Sequence, residues 1–306
     1  MKIRYAKDEE KLQLKAFWQE AFAFDDGGYT DYYFDCAYDF GKHLVLTLDN
    51  EIVSMLSSHK DVYMFNNRLL STSMIVGVAT KEPYKHQGYM TALMNEALDI
   101  LEHQELLTLI QAYNPKLYQP FGFEIVYRRH TYHFRKDRFH SQGNQLLTKD
   151  YTVEDLLTIY GRFTKHFSGF KVRTAQDFAL YIKEIDATNQ FIQAFYDHSH
   201  ELIRGYIVFS IENDLVKIDE CVYLDLKTLD AMLSFALELA DHVDLTVSEY
   251  EDLSRVYEGI KLTVEDYTMV RINDYDLWNR LFDSNVDNVK DALEIINKPL
   301  FMHESI

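Results

Sequence analysis

The strongest constraint on the fold is an order of elements that the chain runs through twice. In the first pass, "DEEKLQLKAFWQEAF" has helical spacing, with Leu12, Ala16, Phe17 and Phe24 placed on one face, and "YTDYYFDCAYDF" reads as a second helix. "HLVLTLD", "IVSMLSSHKDVYMF" and the run from Leu69 to Thr80 read as strands, separated by the turn signals "DNE" and "NNR". A helix follows, in which Met90, Leu93, Met94, Ala97, Leu98 and Leu101 recur at three-and-four spacing. "LLTLI" is a short apolar strand of the kind found in a sheet centre, and "NPKLYQPFGFEIVYRRHTYHF" reads as a short turn or helix and then a strand hairpin.

Beyond the hydrophilic joint "RKDRFHSQGNQ" the order starts again: two helices, three strands, a helix ("KTLDAMLSFALELA"), a strand ("VDLTVSEY") and a closing segment ending near Ile272. A repeat of element order at this period predicts two similar α/β domains, residues 1–140 and 141–272, followed by a helical tail over 273–306. Leu281, Phe282, Leu293 and Ile296 are the tail residues expected to pack, on the second domain.

Composition narrows the partners. Of 306 residues, 47% are hydrophobic, enough for packed cores, and the formal net charge is −18. That balance argues against nucleic acid and anionic membrane, both of which demand a basic footprint. It suits a cationic small molecule, and equally an ordinary soluble protein. The two cysteines, Cys36 and Cys221, form no metal or disulfide pattern. No apolar run reaches the ~18 residues of a spanning helix, and the N-terminus has no signal-peptide core, so a cytoplasmic location is expected.

The two copies differ at one informative place. Between strand and helix the first has "TKEPYKHQGYMTA", with Gly88 behind Lys85, His86 and Gln87, whereas the second has "YLDLKTLDAMLS", with no glycine. A helix N-terminus offers unpaired backbone N–H groups and a positive dipole end, and a glycine there lets a phosphate approach. Thr91, one turn in, adds a hydroxyl. Alone, one glycine fits a plain connecting turn as well. Walker and dinucleotide patterns are both missing.

The second segment is "LYQPFGFE", one helix and one strand later. Together the two resemble the GNAT superfamily of acyl-CoA-dependent N-acyltransferases, whose turn reads (Arg/Gln)-x-x-Gly-x-(Gly/Ala) and whose later segment reads Tyr-x-x-x-Gly-Phe. Lys85, Gly88 and Met90 take the first set of positions, departing from it at Lys85 and Met90; Tyr118, Gly122 and Phe123 match the second. The two-copy layout is similar to the enhanced intracellular survival group, in which an active GNAT domain precedes a degenerate one and a sterol-carrier-like domain. The resemblance covers about residues 1–272, and 273–306 is short of the ~100 residues a third domain needs.

The resemblance implies two tandem α+β domains, each a mixed, mostly antiparallel sheet flanked by helices, and acetyl-CoA as cofactor. It implies a pyrophosphate site over Lys85, His86, Gln87, Gly88, Tyr89, Met90 and Thr91, and a pantetheine arm paired with Val78 and Thr80. The Val78 N–H would polarise the thioester carbonyl, and Tyr118 would protonate the leaving thiolate; otherwise Tyr118 is one of 22 tyrosines in a core. The group is described as using its terminal carboxylate as base, here Ile306, which the short tail argues against. His59 is an outside candidate, and the base is left open. In "FAFDDGGYTDYYFDCAYDF", Asp25, Asp26, Asp31 and Asp35 would attract an ammonium beside aromatic faces; a solvated helix face explains the same run. The function implied is acetyl transfer to a primary amine of a small cationic or peptide-borne acceptor, and the group's homo-oligomers make one an expectation here too. The competing class is a non-catalytic acyl-CoA-sensing or partner-binding module.

Overall fold

Asparagine makes the first hairpins. Asp49 and Asn50 have φ of 46° and 69°, and Asn66 and Asn67 have 44° and 63°. Two-residue hairpin turns need this left-handed pair, and Asn and Asp tolerate it best among residues with side chains. The computed structural model describes residues 1–23, 27–141, 143, 146–148, 150–197 and 202–304. They divide into two compact units.

The first unit takes Met1–Val126 and Tyr267–Asn297. Its elements are β1 (Lys2–Tyr5), α1 (Lys11–Ala21), α2 (Tyr29–Tyr32, continued by a wider turn over Tyr33–Ala37), β2 (His43–Leu48), β3 (Glu51–Phe65), β4 (Arg68–Thr80), α3 (Tyr89–Leu101) and β5 (Leu107–Gln111). The strands lie in the order β1-β2-β3-β4-β5, antiparallel except for the β4–β5 pair. Along β2, Leu44 and Leu46 turn toward α3 while Val45 between them turns toward α1 and α2, the period-two alternation that lets one sheet carry two cores.

The second unit takes Tyr127–Asp266 and residues from Lys298 onward. Its elements are β6 (Glu124–Arg135, which begins in the first unit), β7 (Leu147–Thr148), α4 (Val153–Phe163), β8 (Phe170–Lys171), α5 (Ala175–Ala187), β9 (Phe191–Tyr196), β10 (Ile203–Glu212), β11 (Leu215–Tyr223), α6 (Leu226–Leu239), β12 (His242–Ser248) and β13 (Lys261–Ile272). The order is β6-β12-β11-β10-β9-β7, with β11–β12 the parallel pair. The end of β13 returns to the first unit, pairing Thr268 with Gln111 through Ile272 with Leu107. No helix among the described residues is long and apolar enough to cross a membrane.

Several expectations need correction. The compact units change over after residues 126 and 266, within β6 and β13, whereas the sequence reading sets domains at 1–140 and 141–272. "EIVYRRHTYHF" lies in one continuous strand with no hairpin, and β1 was not anticipated. On α1 the buried face is Leu14, Phe17 and Trp18; Leu12 and Ala16 are exposed, and Phe24 lies outside the described residues.

The tail differs most. Its helices α7 (Tyr275–Phe282) and α8 (Val289–Glu294) belong to the first unit. Trp278 is fully buried, edge-on to Phe65 at 6.2 Å, and Arg68 lies over Phe282. Asn66 donates to the Ile295 carbonyl at 3.3 Å and accepts from the Asn297 N–H at 3.1 Å. So Leu281, Phe282, Leu293 and Ile296 do not pack on the second domain: they are half-buried in the first unit, where Trp278, Val289 and Ala292 are the seated residues. Only beyond Asn297 does the chain join the second unit, extended rather than helical, with Leu300, Phe301, Met302 and His303 buried. Ile306 lies outside the described residues.

Candidate active site

The turn before α3 is built by short local bonds. Pro83 opens a single turn over Glu82–Tyr84, and Lys81 N–H donates to the Val53 carbonyl at 2.9 Å. Lys81 Nζ and the Tyr84 hydroxyl hold the two oxygens of Glu51 at 2.8 and 2.9 Å, and the Gln87 amide donates to the Pro83 carbonyl at 2.9 Å. His86 takes φ 61°, and Gly88 is the helix N-cap at φ 83°, with no side-chain cap. The first helical bond is Ala92 N–H to Gly88 O at 2.9 Å, so the N–H groups of Tyr89, Met90 and Thr91 head the helix without intrahelical partners. Nothing lies within 4 Å of where a Gly88 Cβ would stand. This is an open cradle of backbone donors.

Side chains around the cradle divide by role. Met90 turns inward and packs, half-buried, on the α3 core beside Tyr84 and Tyr89. Thr91, His86, Gln87 and Lys85 are exposed. Lys85 is ion-paired with Glu82, so an incoming anion competes with that carboxylate; the pair is exposed and weak.

Next to the turn, the sheet opens. Parallel pairing of β4 with β5 runs from Thr72–Leu107 to Ile75–Ile110 and stops, while β4 continues to Thr80. The edge of Val76–Thr80 toward β5 is therefore free of ladder bonds, a template for an extended ligand. On its other side β4 bulges: Met55 pairs with Ala79 and Ser57 with Val76, leaving Gly77 and Val78 opposite Leu56 alone. Gly77 sits at φ 62°, and a Cβ there would fall 2.1 Å from the Trp18 ring. Val78 is half-buried against the α3 core, and the Thr80 hydroxyl meets Ser54 Oγ at 2.9 Å.

Tyr118 follows β5 through two single turns that begin at Pro115 and Gln119 and end at Gly122, φ 83°. Its ring is half-buried, edge-on to the buried Phe123 at 6.4 Å, and burial pushes the phenol up to about 12. It keeps its proton through the neutral range, as a general acid must.

The acidic run is arranged differently from expectation. Asp25 and Asp26 lie outside the described residues. Asp31 and Asp35 both face Lys15 Nζ, at 2.8 and 3.5 Å, so one lysine already offsets their charge. The aromatic residues beside them form a packed stack, Trp18 on Tyr33 at 5.1 Å and Tyr29 on Tyr33 at 6.0 Å. His59 does not stand alone: its Nε2 lies 2.8 Å from Ser57 Oγ and 2.9 Å from the Tyr33 hydroxyl. Sequence reading missed Tyr33 and Ser57, and also Gly77, which an isolated glycine inside the strand run "MIVGVAT" signals. No group of three or more metal-ligating side chains occurs among the described residues.

Comparison with known proteins finds two domains in the chain. Residues 2–126 match a family described as an acetyltransferase (GNAT) domain, and residues 169–272 match a second family of the same description. A GCN5-related N-acetyltransferase from Anabaena variabilis has a similar structure, with a TM-score of 0.74 at 17% identity over 89% of this chain and 73% of that one. A conserved protein of unknown function from Enterococcus faecalis, described as a probable N-acyltransferase, gives 0.72 at 17% over 89% and 72%. Eis1 from Mycobacterium abscessus gives 0.71 at 17% over 91% and 75%. At such identity these likenesses concern the fold. No curated protein matches the sequence significantly.

Proposed function

Because the chain belongs to the GNAT acetyltransferase family, with two such domains in tandem, we propose that its first unit moves an acetyl group from acetyl-CoA to a primary amine by direct attack. The observation that carries this reading is the adjacency of two open backbone surfaces on one segment: the free edge of Val76–Thr80 and the uncapped helix start after Gly88.

Acetyl-CoA supplies the activated acyl group. The N–H groups of Tyr89, Met90 and Thr91 would receive the pyrophosphate, with no Cβ at Gly88 to obstruct it. Val78 and Thr80 offer main-chain bonds to the pantetheine arm, and the Val78 N–H would polarise the carbonyl as charge develops on oxygen. Tyr118 would give its proton to the departing sulfur. The acceptor class we favour is a small cationic or peptide-borne amine, in keeping with the net charge of −18.

One observation favours a second reading: the turn departs from the family's pattern at Lys85 and Met90, as suits a non-catalytic module that senses acyl-CoA or binds a partner. Release of free thiol from acetyl-CoA across a panel of amines separates the two. Amine-dependent release supports the enzyme; binding of CoA with no release under any amine supports the sensor.

A further inference from the structure

We propose that a cavity at the far end of α3 binds a small monocarboxylate, its charge at Lys42 and Lys60 and its short aliphatic chain on the apolar floor between them. The site follows from where the elements stop. β1 pairs with β2 as far as Tyr5–Leu44, and β2 pairs with β3 as far as His43–Ser57, so the two outer strands give out together. β3 runs on to Phe65, and α3 continues to Leu101 on the same side of the sheet. The last turns of the helix and the corner of the sheet leave a cavity of about 230 Å³ between them.

Its floor is the outer end of the α3 core. Leu44, Leu56, Ala97 and Leu101 line it and are buried, and half-buried Ile100 makes one wall. Size sets the guest. A dry cavity of about 150 Å³ holds benzene, so this one takes an aliphatic chain of roughly eight carbons.

The rim sets the charge. Alternation along β3 brings Leu56, Ser58 and Lys60 to this face in turn, passing from floor to rim, and Lys42 comes from the turn before β2. The chain has 49 acidic residues against 31 Lys and Arg, yet the lining carries two lysines and no carboxylate. Lys42 has no ion-pair partner among the described residues. Lys60 Nζ gives one donor to the buried Glu105 at 2.9 Å and keeps two others. Two lysines less Glu105 leave one net positive charge, which matches a monoanion. The helix end does not oppose it: the Leu98 carbonyl accepts from Glu102 N–H, and the Leu101 carbonyl from the N–H groups of Gln104 and Glu105.

The cradle after Gly88 heads the same helix at its other end, ~16 Å away by helix rise from Tyr89 to Ile100. Carboxylate binding therefore needs neither the acyl cleft nor acetyl transfer.

The test is calorimetric titration of the full chain with octanoate, with CoA present to occupy the acyl cleft. One saturable site is expected. Butyrate, which loses four methylenes from the floor, should bind at least ~10-fold more weakly, and octanol, which keeps the chain and loses the charge, ~5-fold more weakly. Ile100→Trp fills the cavity and should weaken octanoate at least ~10-fold. Lys42→Gln should weaken it ~5-fold, and because that side chain has no ion-pair partner among the described residues the variant reports on the site even if Ile100→Trp fails to fold. No saturable binding to the wild type, octanol bound as tightly as octanoate, or an affinity unmoved in both variants would each overturn the proposal.

Discussion

The two units solve the same junction in opposite ways. Before α3 the helix begins at Gly88 with its first N–H groups uncapped. Before α6 it begins at Asp225, whose carboxylate accepts from the Thr228 N–H at 2.9 Å and the Thr228 hydroxyl at 2.8 Å and is also bound by Arg204. A phosphate arriving there would meet a fixed negative charge already using the donors it needs. The sheets part alike in both units: β11–β12 pairing stops at Ile218–Leu245 while β11 runs on to Tyr223. In the second unit, however, the tail occupies the place where pairing has ended. His303 donates to the Asp219 carbonyl at 2.6 Å, and Ser248 donates to the Leu300 carbonyl at 3.2 Å. Phe301 fits between Phe163 and Phe167 at 5.3 and 5.1 Å. The comparison teaches that one architecture serves as an open ligand cleft when its backbone is left unsatisfied, and as an anchor when its own chain fills it.

The largest effect should come from breaking the anchor. Arg173 is buried, holds both oxygens of Glu220 at 2.8 and 2.6 Å, reaches Glu304 at 2.9 Å, and lies over the rings of Tyr160 and Tyr181. Arg173→Met leaves the buried Glu220 and the half-buried Glu304 without this counter-ion, a cost of about 3–5 kcal/mol, read as a lowered denaturant midpoint with CoA affinity nearly unchanged. An unmoved midpoint would mean that the tail is not locked by this pair. Next in size, Tyr118→Phe keeps the ring against Phe123 and removes only the donor. Turnover should fall ~10²-fold, ~2.7 kcal/mol, with CoA affinity unchanged; near-normal turnover would reduce Tyr118 to a packing residue.

Gly88→Val should weaken CoA binding at least tenfold, ~1.4 kcal/mol, because a branched side chain enters the cradle and the φ of 83° suits only glycine. The smallest effect is a pH slope. His303, buried and lowered to about 4, is neutral in the folded chain at a pH where the unfolded chain protonates it. Stability it contributes above about pH 6.5 is lost as pH falls toward 4. Glu184 and Glu251, raised to about 7 by burial, act in the opposite sense, adding stability as pH falls from 7 toward 4.5. Comparing wild type with His303→Gln cancels their contribution and should show a flatter acid slope in the variant, by ~1 kcal/mol per pH unit or less. Identical slopes would contradict a neutral, buried His303.

What the sequence disclosed follows from the range of the interactions involved. The Gly88 turn and the α3 stripe were legible because both are local, set by periodicity and by one left-handed position. The element order was legible for the same reason. The face of α1 was not: Leu12 and Leu14 fit helical spacing about equally, and contact with the sheet and Tyr33 selects Leu14 and Trp18. The exchange that sends the end of β13 to β5 joins residues such as Thr268 and Gln111, which no local pattern links. Arg173 and Glu304 are as remote from each other, so no local pattern marked residues 300–304 as the part of the tail that the second unit holds. The Tyr33–Ser57–His59 cluster needs the packing of α2's continuation on β3, and only the lone histidine showed in the sequence.

Hydrogen exchange with and without CoA tests the central claim most directly, since it reads both helix starts in one experiment. One open unit and one filled unit predict protection of the amides over Val76–Thr80 and Tyr89–Thr91 and no change over Leu226–Thr228. Protection at the start of α6, or none at the start of α3, would contradict it.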